Sequence, residues 1–441
     1  MERQLQLDII KMIHREVLPA TGCTEPVAVA LTTAHAAHAL IPFGGEIQSI
    51  RLDLSANILK NAMGVGIPGT GMIGLPIAVA LGAVIAAPEK GLTVLDHFDG
   101  GQFEQAKTMM NNGLIDIQLK QGNVDKLYIE VTIADSLGHT AVAIIEKAHT
   151  ALKSLVVDGV EQIKSGEDSN ISKATELCND PYAGPEVLLT FDMVYEFATE
   201  MPLSEIDFIT EAATLNSNAA NYSLQGDYGH GVGRMIRSEL GRKYLGDTTF
   251  TRLLSYTSAA CDARMDGAPV TVMSNSGSGN QGITATLPVL SFAEDQKVSE
   301  EQKIRALMLS NLMVIYIKQK LGRLSALCGC VVASTGSASG ITYLMGGSKE
   351  QIGYAIKNMV GNLTGMICDG AKPSCSLKVS SGVSSAMLSS ILAMEQKVVT
   401  SNEGVVDDDI DKSIDNLTSI GRDAMQETDR HVLHIMTHKR D

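Results

Sequence analysis

Five cysteines sit where the surrounding sequence could put thiols to chemical use. Cys328 and Cys330 lie in LSALCGCVVASTGSASG, a run from Leu324 to Gly340 that carries no charge. Cys368 and Cys375 lie in GMICDGAKPSCSLK, spaced C-x6-C across a turn that holds Asp369-Gly370 and Pro373. A turn of that kind can aim both sulfurs at one point. Cys23 sits in TGCTEP, just ahead of an expected helix start, where free N–H groups and the macrodipole stabilise a thiolate. It could act as a base or a nucleophile, or be a plain buried thiol.

Zinc does not suit these spacings. Structural zinc sites favour C-x2-4-C pairs, and no His-x3-5-His pair accompanies the cysteines. His35 and His38 are three apart, but in an apolar run that reads as core or interface. An iron–sulfur cluster fits better, because clusters accept thiolates from distant loops. One cysteine of Cys328 or Cys330, with Cys368 and Cys375, makes three ligands. A [4Fe–4S] cube held by three thiolates keeps one iron open as a Lewis acid. Residues two apart on a helix point to different sides, so one ligand rather than two is expected from CGC. The alternative is that all five behave as small buried hydrophobes. The polar, turn-forming CDGAKPSC is unlike a core segment.

Two glycine-rich loops, GVGIPGTGMIG (64–74) and SNSGSGNQG (274–282), offer backbone N–H groups and hydroxyls to an anion such as a carboxylate. Neither ends in GK[ST], and neither follows a clear strand of a βαβ unit, so nucleotide binding is a weak reading. Tight helix packing through glycine is the other explanation. His230, in NYSLQGDYGHGVGR, is a further acid/base candidate or a structural turn histidine.

These residues need positioning elements. Apolar spacing at Leu5, Ile9, Ile10, Ile13 and Val17 predicts a first helix over 3–18. A second follows TGCTEP, with Pro26 at its first position. EIQSIRLDLS (46–55), LTVLDHF, IDIQLK and three runs within 126–159 read as strands. A buried helix is expected over 72–86, and 159–180 reads as a polar connector. From Pro185 onward the period is helical. The fold expected is α+β: an N-terminal mixed part with a small sheet (1–160), then a mainly α-helical domain with buried Gly/Ser-rich loops (181–441).

Composition sets limits. The 441 residues are 44% hydrophobic and 19% charged, which marks a globular chain with a large core. With no tryptophan and only 4% aromatics, small and aliphatic residues must do the packing. A net charge of −15 without a basic tract argues against nucleic acid as partner. Residues 71–87 and the run from Leu324 approach the length of a membrane span; both read as buried core. No membrane partner is expected. The charged N-terminus lacks a signal-peptide core. With no disulfide framework, the reading is a cytoplasmic protein with reduced or metal-bound thiols. Buried Gly/Met-rich helices suggest a homo-oligomer.

TGCTEP, NILKN followed by GVGIPGTG, SNSGSGNQG, LCGCVVASTGSASG and CDGAKPSC occur in this order over nearly the whole chain. Together they resemble the L-cysteine desulfidase family, relatives of the α chain of bacterial iron–sulfur L-serine dehydratases. The resemblance implies a [4Fe–4S] enzyme that uses no pyridoxal phosphate. It would convert L-cysteine to pyruvate, ammonia and sulfide. It implies Cys328, Cys368 and Cys375 as cluster ligands and Cys23 as the base. The substrate carboxylate would fall to Lys60 and Asn61 and to Ser276, Gly277, Ser278 and Asn280. The expectation that follows is a shared cleft for Cys23, the three ligands and the 64–71 and 276–280 loops. L-Serine dehydration, a non-catalytic iron–sulfur redox sensor and a metal-free binding protein are the rival readings.

Overall fold

The computed structural model describes residues 1–122, 124–164, 187–322 and 324–438. The chain is α+β, as its pattern predicts, and two hydrophobic cores organise it.

The first core lies on one face of a six-stranded sheet of order β5-β2-β6-β7-β8-β9. Its strands are β2 (Ile47–Leu54), β5 (Ile115–Leu119), β6 (Tyr128–Asp135), β7 (Thr140–Glu146), β8 (Leu152–Val157) and β9 (Val160–Lys164). Only β2 and β5 pair in parallel; the rest are antiparallel. Ile50, Leu52 and Leu54 on β2 and Ile129, Val131 and Ile133 on β6 are buried in alternation, the period-2 signal that announced them. They pack under α2 (Thr24–Leu40) and α4 (Leu75–Ile85), with α3 (Ala56–Ala62) and α5 (Gly100–Asn111) alongside.

Two expectations here need correction. LTVLDHF is no strand: residues 88–93 form a 3-10 turn, and Val94 and Leu95, adjacent in sequence, are both buried. A strand would turn one of them outward. The supposed connector begins as β9, closed onto β8 by Asp158-Gly159, both at positive φ (48° and 77°), the hairpin geometry Asp-Gly favours. The rest of that connector lies outside the described residues.

The second core is helical. It contains α1 (Arg3–Glu16), α6 (Phe191–Glu200), α7 (Thr210–Gln225), α8 (Val232–Arg237), α9 (Glu239–Leu245) and α10 (Thr249–Met265). It continues through α11 (Gly279–Gln296), α12 (Glu300–Leu321), α13 (Gly329–Leu344), α14 (Lys349–Leu363), α15 (Cys375–Met394), α16 (Ile410–Ser419) and α17 (Gln426–Thr437). Both chain ends cross over: Ile9 and Ile13 of α1 sit in the helical core, while Leu433 of α17 sits in the sheet's core.

The charge-free run from Leu324 becomes α13, an interior helix. Gly336 and Gly340 let α12 approach closely; a Cβ there would lie 2.5 Å from the Ser310 carbonyl and 2.9 Å from that of Ala306. The hydroxyls of Thr335, Ser339 and Thr342 donate to carbonyls one turn back, so this polar helix is satisfied in the interior. α4 is buried too. The helices that meet span length and apolarity are others, Thr24–Phe43 and Cys375–Met394. The first is covered by the sheet and α4; the second leaves Leu377, Leu388, Ile391 and Leu392 exposed.

Candidate active site

Two short pairings assemble the site. β1 (Pro19–Thr21) runs antiparallel to β10 (Thr271–Met273). Cys23 lies two residues past one strand and the 274–278 loop directly past the other, so the ladder sets them side by side. The second pairing is a single antiparallel bridge between Leu327 and Ile367. The Cys328 amide donates to the Met366 carbonyl at 3.0 Å and the Cys368 amide to the Ala326 carbonyl at 2.7 Å. Cys375 follows a self-clamped loop, in which Lys372 and Lys378 both pair with Asp369. Burial works against the Asp369 carboxylate, but hydrogen bonds from both lysines outweigh it and hold its pKa down to about 2.

A cavity of about 120 Å³ results, lined by Cys23, Cys328, Cys330, Cys368 and Cys375 together with Asn61, Ser276, Gly277, Ser278 and Asn280. Lys60, His230 and the 64–71 loop do not line it. Gly66 packs on the Asp266–Gly267 backbone, so the loop braces the end of α10. Lys60 is 1% exposed; it pairs with Asp429 and donates to the Cys368 carbonyl at 3.3 Å. Behind the cysteine loop, it positions Cys368 instead of facing a ligand.

Gly370 closes the same contact, with φ 89° and a Cβ position only 2.2 Å from the Lys60 carbonyl. Lys60→Met is expected to destabilise the fold by on the order of 3 kcal/mol, since it strands a largely buried carboxylate. Gly370→Ala is expected to act likewise through the backbone. Urea unfolding checks both; unchanged midpoints would refute the brace.

Helix starts shape the wall. α2, α11, α13 and α15 all begin at the cavity, with Cys23, Ser278, Cys328 and Ser374 as N-caps, and none of the four has a side-chain cap, a feature shared with α1, α4, α7, α8 and α17 elsewhere. In α15 the first N–H groups are taken by the Lys372, Pro373 and Ser374 carbonyls. The starts of α2, α11 and α13 turn N–H donors and positive dipole ends toward an anion.

The thiols divide in that field. Cys328 and Cys330 lie 3.3 Å apart. The hydrogen bond from Cys330 draws Cys328 down to about 7 against the effect of burial, while Cys330 is pushed well up. The Cys330 sulfur also lies 3.4 Å from the Lys378 carbonyl. Cys328 is therefore the more acidic thiol of the pair. Burial, then the Cys328 charge, raises Cys368 to about 11.

Cys23 departs from expectation. α2 starts at Thr24, with Cys23 as its N-cap and not Pro26 as its first residue. Burial and the Glu25 charge push the thiol far above its usual range, with Arg264 opposing. Its Sγ donates to Glu25 Oε2 at 3.0 Å. Thr24 and Asn61 also donate to Glu25, so Asn61 holds this carboxylate. Sequence reasoning gave Glu25 no chemical role; its signal was its place two residues after Cys23. Arg264 was missed altogether, having no motif to mark it; Gln281 lies within SNSGSGNQG but was not singled out there.

Among the described residues, no three His, Cys, Asp or Glu side chains converge on a single metal ion. Thiolates on one tetrahedral ion would stand ~3.8 Å apart, given bonds of about 2.3 Å. A cluster binds each thiolate on a different iron and needs them spread around a space. Cys328, Cys368 and Cys375 reach one cavity from three elements, which suits a cluster and not a lone ion.

A thiol-lined cavity where several helices begin, in an α+β scaffold, is thus the candidate site of this fold. Residues 89–434 match the serine dehydratase alpha chain family, and the chain belongs to it. That is a family of lyase type, typically linked to iron–sulfur chemistry. The chain is 61% identical over 446 residues to a UPF0597 protein of Porphyromonas gingivalis and 58% identical over 439 to one of Parabacteroides distasonis, with 100% of every chain covered. It is 45% identical over 431 residues to a UPF0597 protein of Oleidesulfovibrio alaskensis, covering 98% of each.

Proposed function

We propose that this protein is a [4Fe–4S]-dependent carbon–sulfur lyase that converts L-cysteine and water to pyruvate, ammonia and hydrogen sulfide. The observation that supports this most is the meeting of Cys23 with Cys328, Cys368 and Cys375 at one cavity, from three separate stretches of chain.

Cys328, Cys368 and Cys375 would hold the cluster, and its open iron would supply a Lewis acid for the departing sulfur. The chain's own residues do the rest. Glu25 takes the Cys23 proton, across the contact already made, and the thiolate takes the α-proton of the substrate. The uncapped starts of α2 and α11 favour the negative charge that develops. Ser276 and Gly277, at φ 50° and 79°, turn the chain so that α11 begins at the cavity wall. Cys330 lends its hydrogen bond to Cys328. Enamine released to water becomes pyruvate and ammonia.

L-Serine elimination is the second reading, favoured by the family's own description. A homo-oligomer belongs to the proposal, supported by the exposed leucines of α15. Anaerobically reconstituted protein should be brown and release sulfide from L-cysteine faster than it forms pyruvate from L-serine. The reverse order would make it a serine dehydratase. Colour without either product would make it a sensor, and a colourless protein would end the cluster reading.

A further inference from the structure

Among the described residues, Arg264 is a buried cation with no ion-pair partner. It is 2% exposed, near the end of α10, and lines the same cavity. Among the described residues, its guanidinium makes one hydrogen bond, Nη1 to Asn280 Oδ1 at 3.1 Å, and no ion pair. Nε is buried with no partner. A buried guanidinium facing only a neutral amide is unfavourable unless an anion completes it. Gly279 gives it room, because a Cβ there would lie 2.2 Å from Nε. Gly279 is also the first residue of α11, an eighteen-residue helix whose N-cap, Ser278, makes no side-chain bond. Free backbone donors and a planar guanidinium thus share one corner.

We propose that Arg264, with the first turn of α11, binds the α-carboxylate of the amino-acid substrate and so fixes its orientation. Guanidinium and carboxylate match as a two-pronged pair. Glu25, on the same cavity, carries the opposite sign. Lys318 and Lys378 line it as well, Lys378 already paired with Asp369, so the cavity offers charges of both signs, as a zwitterionic α-amino acid requires. Lys60 and Asn61 do not hold the carboxylate: one is paired with Asp429 and the other with Glu25. The inference rests on the amino-acid reading of the site, but not on the cluster or on the leaving group.

The test uses holoprotein purified anaerobically, with L-alanine and L-alaninamide as unreactive probes in calorimetry. L-Alanine keeps the carboxylate and L-alaninamide lacks it. Wild type should bind L-alanine clearly more tightly than the amide. Arg264→Gln should raise KM for L-cysteine about 100-fold, the worth of a charged hydrogen-bond pair, with a smaller fall in kcat. It should erase the preference for L-alanine over the amide. Arg264→Lys should restore part of both. Asn280→Asp is isosteric and sets a carboxylate against Nη1, so it should weaken L-alanine binding about 10-fold without unfolding the site. This second variant decides the matter if Arg264→Gln does not fold. Unchanged L-alanine affinity in either folded variant overturns the inference, as does a wild type that does not distinguish the probes. Arg264-dependent binding of L-alanine by a protein that eliminates nothing would uphold the clamp and overturn the elimination.

Discussion

Cys368→Ala is expected to remove the brown colour and the sulfide release together. Cys368 stands at the centre of the backbone arrangement. Its amide closes the bridge to Ala326, its carbonyl receives Lys60, and Gly370 locks the following turn. Alanine keeps that backbone and removes only the sulfur. The loss should therefore come without unfolding, read as a melting temperature close to that of cluster-free wild type. Cys328→Ala should match it. Cys330→Ala should not, because that sulfur is already engaged by Met366 and the Lys378 carbonyl. A colourless Cys330→Ala beside a brown Cys328→Ala would reverse the ligand assignment. Brown colour in Cys368→Ala would remove it from the ligand set.

Cys23→Ala should cut elimination by on the order of 10²–10⁴-fold, the usual worth of a positioned base, and leave the colour intact. Glu25→Gln should approach the same loss while keeping the Cys23 thiol in place. An amide still accepts a hydrogen bond from sulfur but cannot take its proton. The pair of variants separates a thiol that acts alone from one that needs its neighbour. If Glu25→Gln keeps full activity, the relay is wrong. If Cys23→Ala does, the base lies elsewhere.

The strands that alternate and the helices with a 3.6 period were readable because burial on one face leaves its period in the chain, as at Ile129, Val131 and Ile133. The convergence of the cysteines was readable only in outline. Spacing showed that Cys368 and Cys375 flank a turn, but the bridge that brings Cys328 to them is two backbone hydrogen bonds with no residue signature. α11 was hidden for a related reason. Its first turn, Gly-Asn-Gln-Gly, is what a sequence reader takes for loop, and its N-cap, Ser278, is one of several serines in a glycine-rich run and marks no start. Lys60 misled because a lysine beside an anion-binding motif looks like a ligand. Nothing local reveals that Asp429, from the far end of the chain, already holds it. Arg264 is the converse case. An arginine inside a helix usually faces water, and only the fold shows this one sealed in without an anion.

The three bare helix starts of α2, α11 and α13 give the protein an uneven stability that depends on its contents. Each missing cap forgoes roughly 1 kcal/mol that a serine or aspartate would supply. The empty form is the weakest form, and whatever anion enters restores part of the deficit by mass action, so the thermal midpoint should climb with ligand concentration. Selection for robustness would run against selection for turnover at these three positions. A variant that gains heat resistance by capping one of them is where lost activity should first be sought.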